Sequence, residues 1–306
     1  MSTAWIFPGQ GAQQPGMLHA LPPSGGDVLA AAADVLQADP LLLDTEAALA
    51  STRAAQVALL LTSITWAREL FTAGAYPDHL AGHSVGLWCA AVISGAIDLY
   101  DAIRLVDLRG STMAAAAPPD TAMVAVDGVG ELAANTIAAQ ARSRGRQVWV
   151  STVNSAQQVT VSGLATDIEA LIPQLRNVGA RRIRRLSVAV PAHTPLLSSA
   201  ETAVRAALAD TGIQRPSIPL AGNISGQTIS TADKLRTELS KSITRPVQWS
   251  KALQILADRG VMCFVHLPPG RSQANHVPCG AEVVVVEEVG AVEAARRTSS
   301  RTQIER

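Results

Sequence analysis

Ser84 lies within Ala81–Val92, AGHSVGLWCAAV, with one residue between it and a glycine on either side, Gly82 and Gly86. The stretch DHLAGHS reads as a short strand entering a turn, and VGLWCAAVISGA as a buried helix leaving it. G-x-S-x-G between a strand and a helix is a nucleophile elbow. The two glycines relieve the crowding of a sharp turn, so that the hydroxyl projects above the sheet. The helix N-terminus behind it favours negative charge, and the N–H of Val85 would face a developing oxyanion. The competing reading is a tight packing turn.

A serine hydroxyl needs a base. The chain has six histidines. His83 adjoins the serine, but neighbours in a sharp turn are expected to point apart. His19 and His79 read as surface or loop positions. His193, in VPAHTP, follows a strand and sits between two prolines that stiffen its loop. His266 and His276 are later rivals.

Arg109 is the other informative side chain. The helix over Leu99–Met113 follows an N-cap residue, Asp98. Its apolar stripe runs through Leu99, Ala102, Ile103, Val106, Gly110 and Met113, with Arg109 at the edge. A guanidinium there needs a partner, because an unpaired buried charge is costly. That partner is either a protein carboxylate or a substrate carboxylate gripped by two parallel hydrogen bonds.

The elements that must position these groups follow from the pattern. Trp5–Phe7 is a short apolar strand ending in PGQGAQQPGM, a loop whose glycines allow tight turns and close approach to a ligand. Helices are expected near Val28–Gln37 and Arg53–Thr72. From Ala122 to about Val190 the order is β-α-β-β-α-β, with an Asn-Ser turn at Asn154 and a last strand RRIRRLSVAV. That order is the split βαβ unit of a ferredoxin-like domain. The rest alternates helices with short apolar strands, as in a mostly parallel α/β sheet. The polar, arginine-rich stretch beyond Val289 predicts a final helix and a frayed tail.

The formal net charge is +0, and hydrophobic and charged residues make up 48% and 16%. This fits a soluble globular protein and gives no electrostatic reason to expect nucleic acid or a membrane surface as partner. Apolar runs such as Val57–Leu61 are too short to span a bilayer. No secretory signal is expected from Met1–Pro8. Three cysteines far apart, with no CxxC pair, argue against a structural zinc site or a disulfide framework and point to a reducing cytoplasm.

Six segments, in order, resemble the malonyl-CoA:acyl carrier protein transacylases: IFPGQGAQQPGM, AGHSVG, LVDLRGSTM, NSAQQVTVSG, VPAHTPLL and RPVQWSKAL. The resemblance runs over nearly the whole chain. It implies an α/β-hydrolase-like large domain, residues 1–121 and 190–306, with a ferredoxin-like insertion, residues 122–189. It implies that Ser84 takes up the malonyl group, that His193 is its base and that Arg109 holds the malonyl carboxylate. The backbone N–H groups of Gln10 and Val85 would form the oxyanion hole. A backbone carbonyl at Ser242, where family members often carry glutamine, would orient the histidine. Asn154 would lie near the pantetheine arm. Malonyl-CoA is then the donor and a phosphopantetheine-type arm on an acyl carrier protein the acceptor, with no metal and no tightly bound cofactor.

Three positions depart from the family pattern: Leu87 where glutamate is common, Gln248 within PVQW, and Pro268 within PPG. Together with FPGQGAQQPGM and GHSVGLW they resemble a specialised branch, the malonyl transferase (epsilon) subunit of malonate decarboxylase, which would add other subunits as partners. Two other classes remain open. An α/β-hydrolase-type esterase or thioesterase would use Ser84, Asp258 and His276, in the chain order such enzymes follow. A non-catalytic subunit would only hold a carrier protein.

Overall fold

The computed structural model describes residues 2–299. Ten strands are found among them: β1 Ser2–Phe7, β2 His79–Gly82, β3 Thr121–Asp127, β4 Val148–Ser155, β5 Gln158–Leu164, β6 Arg182–Arg185, β7 Leu220–Ala221, β8 Thr228–Ile229, β9 Val261–His266 and β10 Glu282–Val285. They form two sheets. The larger is ordered β10-β9-β1-β2-β7-β8 and is parallel except for the edge strand β8. The smaller is antiparallel throughout, ordered β4-β5-β3-β6.

Strand β1 lies inside the large sheet with both faces covered, and its sequence shows why. Trp5 and Phe7 join one core with the helix Thr52–Thr72, while Ala4 and Ile6 join another under the helix Trp249–Asp258. A parallel strand buried on both faces has no polar side to present. The helix Thr52–Thr72 is likewise buried almost all round, with Val57 to Leu61 fully enclosed. A helix without a polar face belongs inside a core.

The small sheet has its own core. Val124, Val126, Val148 and Val150 pack against Ile137 of the helix Glu131–Arg142 and against Ile168 and Leu171 of the helix Ala165–Asn177. The outer strand β4 does not end in solvent throughout. Val247 docks beside it, accepting from the N–H of Val153 at 2.8 Å and donating to the carbonyl of Ser151 at 3.0 Å. This closes part of an exposed edge and ties the small sheet to the rest of the chain.

Several expectations shift. The turn between β4 and β5 is Ala156–Gln157, two residues beyond the Asn-Ser pair, because β4 runs on to Ser155, which pairs with Gln158 after an irregularity at Asn154. The strand expected to reach Val190 stops at Arg185. Leu186 makes one more bond, to the carbonyl of Met123 at 2.9 Å, and the chain then leaves the sheet to wall a cavity with Leu186, Ser187 and Val188. The helix after the serine runs over Gly86–Ile93, shorter than expected, and is followed by Gly95 at φ 71°. A left-handed residue of this kind ends a helix. The last helix, Ala291–Ser299, is present, while the frayed tail falls outside the described residues.

Candidate active site

Ser84 begins the turn after β2 with φ 54°, a left-handed conformation unusual for a residue with a side chain. The flanking glycines make it possible. A Cβ on Gly82 would stand 2.0 Å from the carbonyl of Gly86, and one on Gly86 would stand 2.5 Å from the carbonyl oxygen of Phe7. Without side chains, the helix Gly86–Ile93 can press its N-terminus against the ends of β1 and β2. The N–H of His83 donates to Phe7 at 3.0 Å, and the N–H of Ser84 donates to Oδ1 of Asn223 at 2.8 Å. The backbone N–H groups of Gln10 and Val85 make no turn or loop hydrogen bond among the described residues. They remain available to an incoming acceptor.

His193 is held twice by one segment. Its N–H donates to the carbonyl of Ile243 at 2.9 Å, and its ring Nδ1–H donates to the carbonyl of Ser242. Its own φ is 63°, and Thr194 Oγ1 donates back to Pro191 at 2.7 Å. The Nδ1 donation leaves Nε2 with the lone pair, the form a general base requires. Burial, reinforced by the Arg109 charge, pushes its pKa down to about 3, so the ring is neutral at physiological pH.

Arg109 sits inside the core, not at its edge: its side chain is 0% exposed. The guanidinium donates through Nη1 to Gln56 Oε1 and through Nη2 to Ser84 Oγ, the latter at 3.2 Å. Its Nε has no partner. Burial alone lowers its pKa to about 10, which still leaves it charged at neutral pH. Both side-chain partners are neutral, so an enclosed positive charge stands beside the serine without a counter-ion from the described residues.

Ser84 and His193 line one cavity of about 520 Å³, bounded on one side by the turn after β1 and on another by β3, β4 and β5. Gln10, Gln56, His83 and Asn154 line it too. The Ser84 hydroxyl is bonded to Arg109 and not to His193 in this structure. Such contacts are often loose before substrate binds.

His83 corrects an expectation. It does not point away but faces the same cavity as Ser84, because the left-handed Ser84 breaks the strand's alternation of sides. Its Nε2 lies 3.4 Å from Asn154 Oδ1, its ring meets Trp249 edge-on at 5.5 Å, and burial lowers its pKa to about 4. Asn154 in turn donates to Gln158 at 3.0 Å, and Gln158 donates to Asp127 at 2.6 Å. His79 is half-buried at the start of β2, not in a loop, and His266 is enclosed at the end of β9. Asp258 is exposed at the end of its helix and accepts from Gln254, away from the cavity, whereas His276 lines it. The grouping Ser84–Asp258–His276 is therefore not assembled.

Two residues escaped sequence reasoning. Gln56 is buried in the apolar run AAQVALLL, bridging Arg109 and, through Nε2, Gln10 Oε1 at 3.3 Å. A lone amide in such a run was the available signal. Asn223 follows β7 in AGNISG, which reads as an ordinary turn. Of the departures, Leu87 is fully buried in the core, Gln248 donates to Glu131 at 2.8 Å, and the Pro268 carbonyl accepts from Ser63 at 2.8 Å.

Residues 4–283 match the acyl transferase domain family. The malonyl CoA-acyl carrier protein transacylase of Escherichia coli (strain K12) is 32% identical over 279 residues, covering 88% of this chain and 89% of that protein. The chain belongs to the malonyl-CoA:acyl carrier protein transacylase family. The transacylase of Bacillus subtilis (strain 168) is 30% identical over 275 residues, covering 88% of this chain and 87% of its own. The solved transacylase of Coxiella burnetii superposes with a TM-score of 0.92 at 28% identity, covering 97% of this chain and 98% of that one. A type II PKS acyl-carrier protein in complex with its malonyl-transacylase contains a further match, with a TM-score of 0.89 at 28% identity, covering 96% of this chain and 100% of the matched one. Among the described residues of this transacylase family member, no helix is long and apolar enough to cross a membrane.

Proposed function

We propose that this chain moves a malonyl group from CoA to the thiol of an acyl carrier protein through a malonyl-serine intermediate. The observation that carries the proposal is the enclosed guanidinium of Arg109, without a carboxylate partner and 3.2 Å from the Ser84 hydroxyl. A buried charge this close to a nucleophile calls for an anionic acyl group, and a malonyl carboxylate accepts two parallel hydrogen bonds from it.

His193 Nε2 takes the proton as Ser84 Oγ attacks the thioester carbonyl. The N–H groups of Gln10 and Val85 receive the oxyanion; losing one such donor typically costs on the order of 10²–10³ in rate. The CoA thiolate leaves and takes up the proton from His193. The phosphopantetheine-type thiol of the carrier then gives its proton to His193 and attacks the malonyl ester, and the serine oxygen leaves with that proton. Asn154 on β4 faces the arm, and no tightly bound cofactor is needed.

We read residues 1–121 and 190–306 as an α/β-hydrolase-like unit and 122–189 as a ferredoxin-like insertion. The antiparallel order β4-β5-β3-β6 with two helices on one core supports the latter. We assign the chain further to the malonate decarboxylase branch on the strength of Leu87, Gln248 and Pro268.

Intact-mass measurement after mixing with malonyl-CoA tests the reading. A malonyl adduct that Ser84→Ala abolishes is the expected result; an unmodified wild-type chain overturns it. Discharge of the adduct by the decarboxylase carrier alone supports the branch, and discharge by a fatty-acid carrier removes it.

A further inference from the structure

We infer that Asn223 is a positioning residue for the nucleophile, acting as a side-chain rung that carries the β2–β7 ladder past its end. Strands β2 and β7 pair at Leu80↔Leu220 and Ala81↔Ala221, and there the backbone ladder stops. The elbow turns away, which would strand the carbonyl of Gly82 and the N–H of Ser84 in a buried place. Burying backbone groups of that kind without partners is costly. The Asn223 amide meets both. Its Nδ2 donates to the Gly82 carbonyl at 2.7 Å, and its Oδ1 accepts from the Ser84 N–H at 2.8 Å.

The amide is 2% exposed and is itself anchored, since its backbone carbonyl accepts from the N–H of Gln248 at 2.6 Å. On the opposite side β1 holds the elbow through Phe7 and His83. Ser84 is thus clamped from both neighbouring strands in a conformation that it would not keep alone. The clamp also decides which donors face the substrate. The Ser84 N–H is consumed, so the elbow's contribution to an oxyanion site comes from Val85.

An amide is the side chain that fits. One end must accept and the other donate, and aspartate, of the same shape, does both only when protonated. Buried here, a carboxylate would have a raised pKa. This gives a test that general destabilisation does not imitate. The inference rests on the acyl-serine reading, and wild-type acylation is the control for that reading. Rapid-quench mass measurement with malonyl-CoA yields two quantities, the amplitude of acylation, which counts folded sites, and its rate constant.

For Asn223→Asp at pH 8, the rate constant should fall on the order of 10²-fold, the penalty for a small misplacement of a reacting group. The amplitude should stay near one per chain. The ratio of variant to wild-type rate should climb as pH falls toward 5.5. Asn223→Ser, which cannot titrate, should show a similar loss with no pH-dependent recovery, and it serves if the aspartate variant does not fold. A wild-type rate constant in either folded variant, or a loss confined to amplitude, overturns the inference. Absence of acylation in the wild type overturns the earlier reading instead.

Discussion

Arg109 brings a positive charge into a site whose described residues offer it only a glutamine and a serine hydroxyl. Under the proposed mechanism, its selectivity comes from what an acetyl group fails to supply. A hydrogen bond to a charged group is worth about 1.5–3 kcal/mol, and a carboxylate forms two. Arg109→Ala should therefore lower malonyl transfer by roughly 10²–10⁴-fold while leaving acetyl transfer within a few-fold. Acylation rates with both thioesters check this, and equal losses would remove the clamp. His193 makes a second prediction. With its pKa pushed down to about 3, the proposed base is unprotonated across the neutral and mildly acidic range. Acylation by folded enzyme should stay flat from pH 7.5 to 5.5, with no acid limb near the ordinary histidine value of about 6.5. A limb there, while circular dichroism is unchanged, would contradict the assignment.

At the scale of elements, the elbow depends on close packing of three backbones. A methyl group at residue 86 would meet the Phe7 carbonyl oxygen at 2.5 Å, with no flexible side chain to yield. Overpacking of this kind typically costs about 1–3 kcal/mol. Gly86→Ala should therefore lower the urea midpoint by a corresponding amount. Because the displaced parts carry Ser84 and Val85, acylation should slow as well. A variant with wild-type midpoint and rate would show that the strand–helix contact is not tight. The same packing explains why β1 alternates between two cores, with Trp5 and Phe7 on one side and Ala4 and Ile6 on the other. Both faces are spoken for, so the turn after it, where Gln10 lies, starts from a fixed point.

Across the whole molecule, several enclosed imidazoles set the response to acid. Burial lowers the pKa values of His83 and His266 to about 4 and that of His193 to about 3. Unfolded, each would bind a proton below about pH 6.5. Between that value and the folded pKa values the unfolded chain holds more protons, so stability falls as pH falls through this window. Thermal midpoints should drop steadily from pH 7 to pH 4, and loss of activity on acidification should follow unfolding, not titration of the base. Replacing His266 by an apolar residue of similar size, away from the serine, should flatten that dependence. An unchanged slope would show that the buried imidazole does not contribute to it.

Much of this protein is written locally. The glycines around Ser84, the prolines around His193 and the cap at Asp98 are short-range signals, because turn geometry and capping depend on neighbours in the chain. The strand and helix order of residues 122–185 was legible for the same reason, through periodicity. Other features were decided only when distant segments met. Arg109 looked like an edge residue on its own helix and became enclosed once the Ser84 turn and Gln56 closed over it. Sequence neighbours alone point His83 away from Ser84, whereas in the fold both side chains face one cavity across the left-handed serine. Asn223 lies 139 residues from Ser84, and nothing near it in sequence marks it as a clamp. Local chemistry determines what each element is; burial and counter-charge are properties of the assembled space around a side chain, and only tertiary structure assigns them.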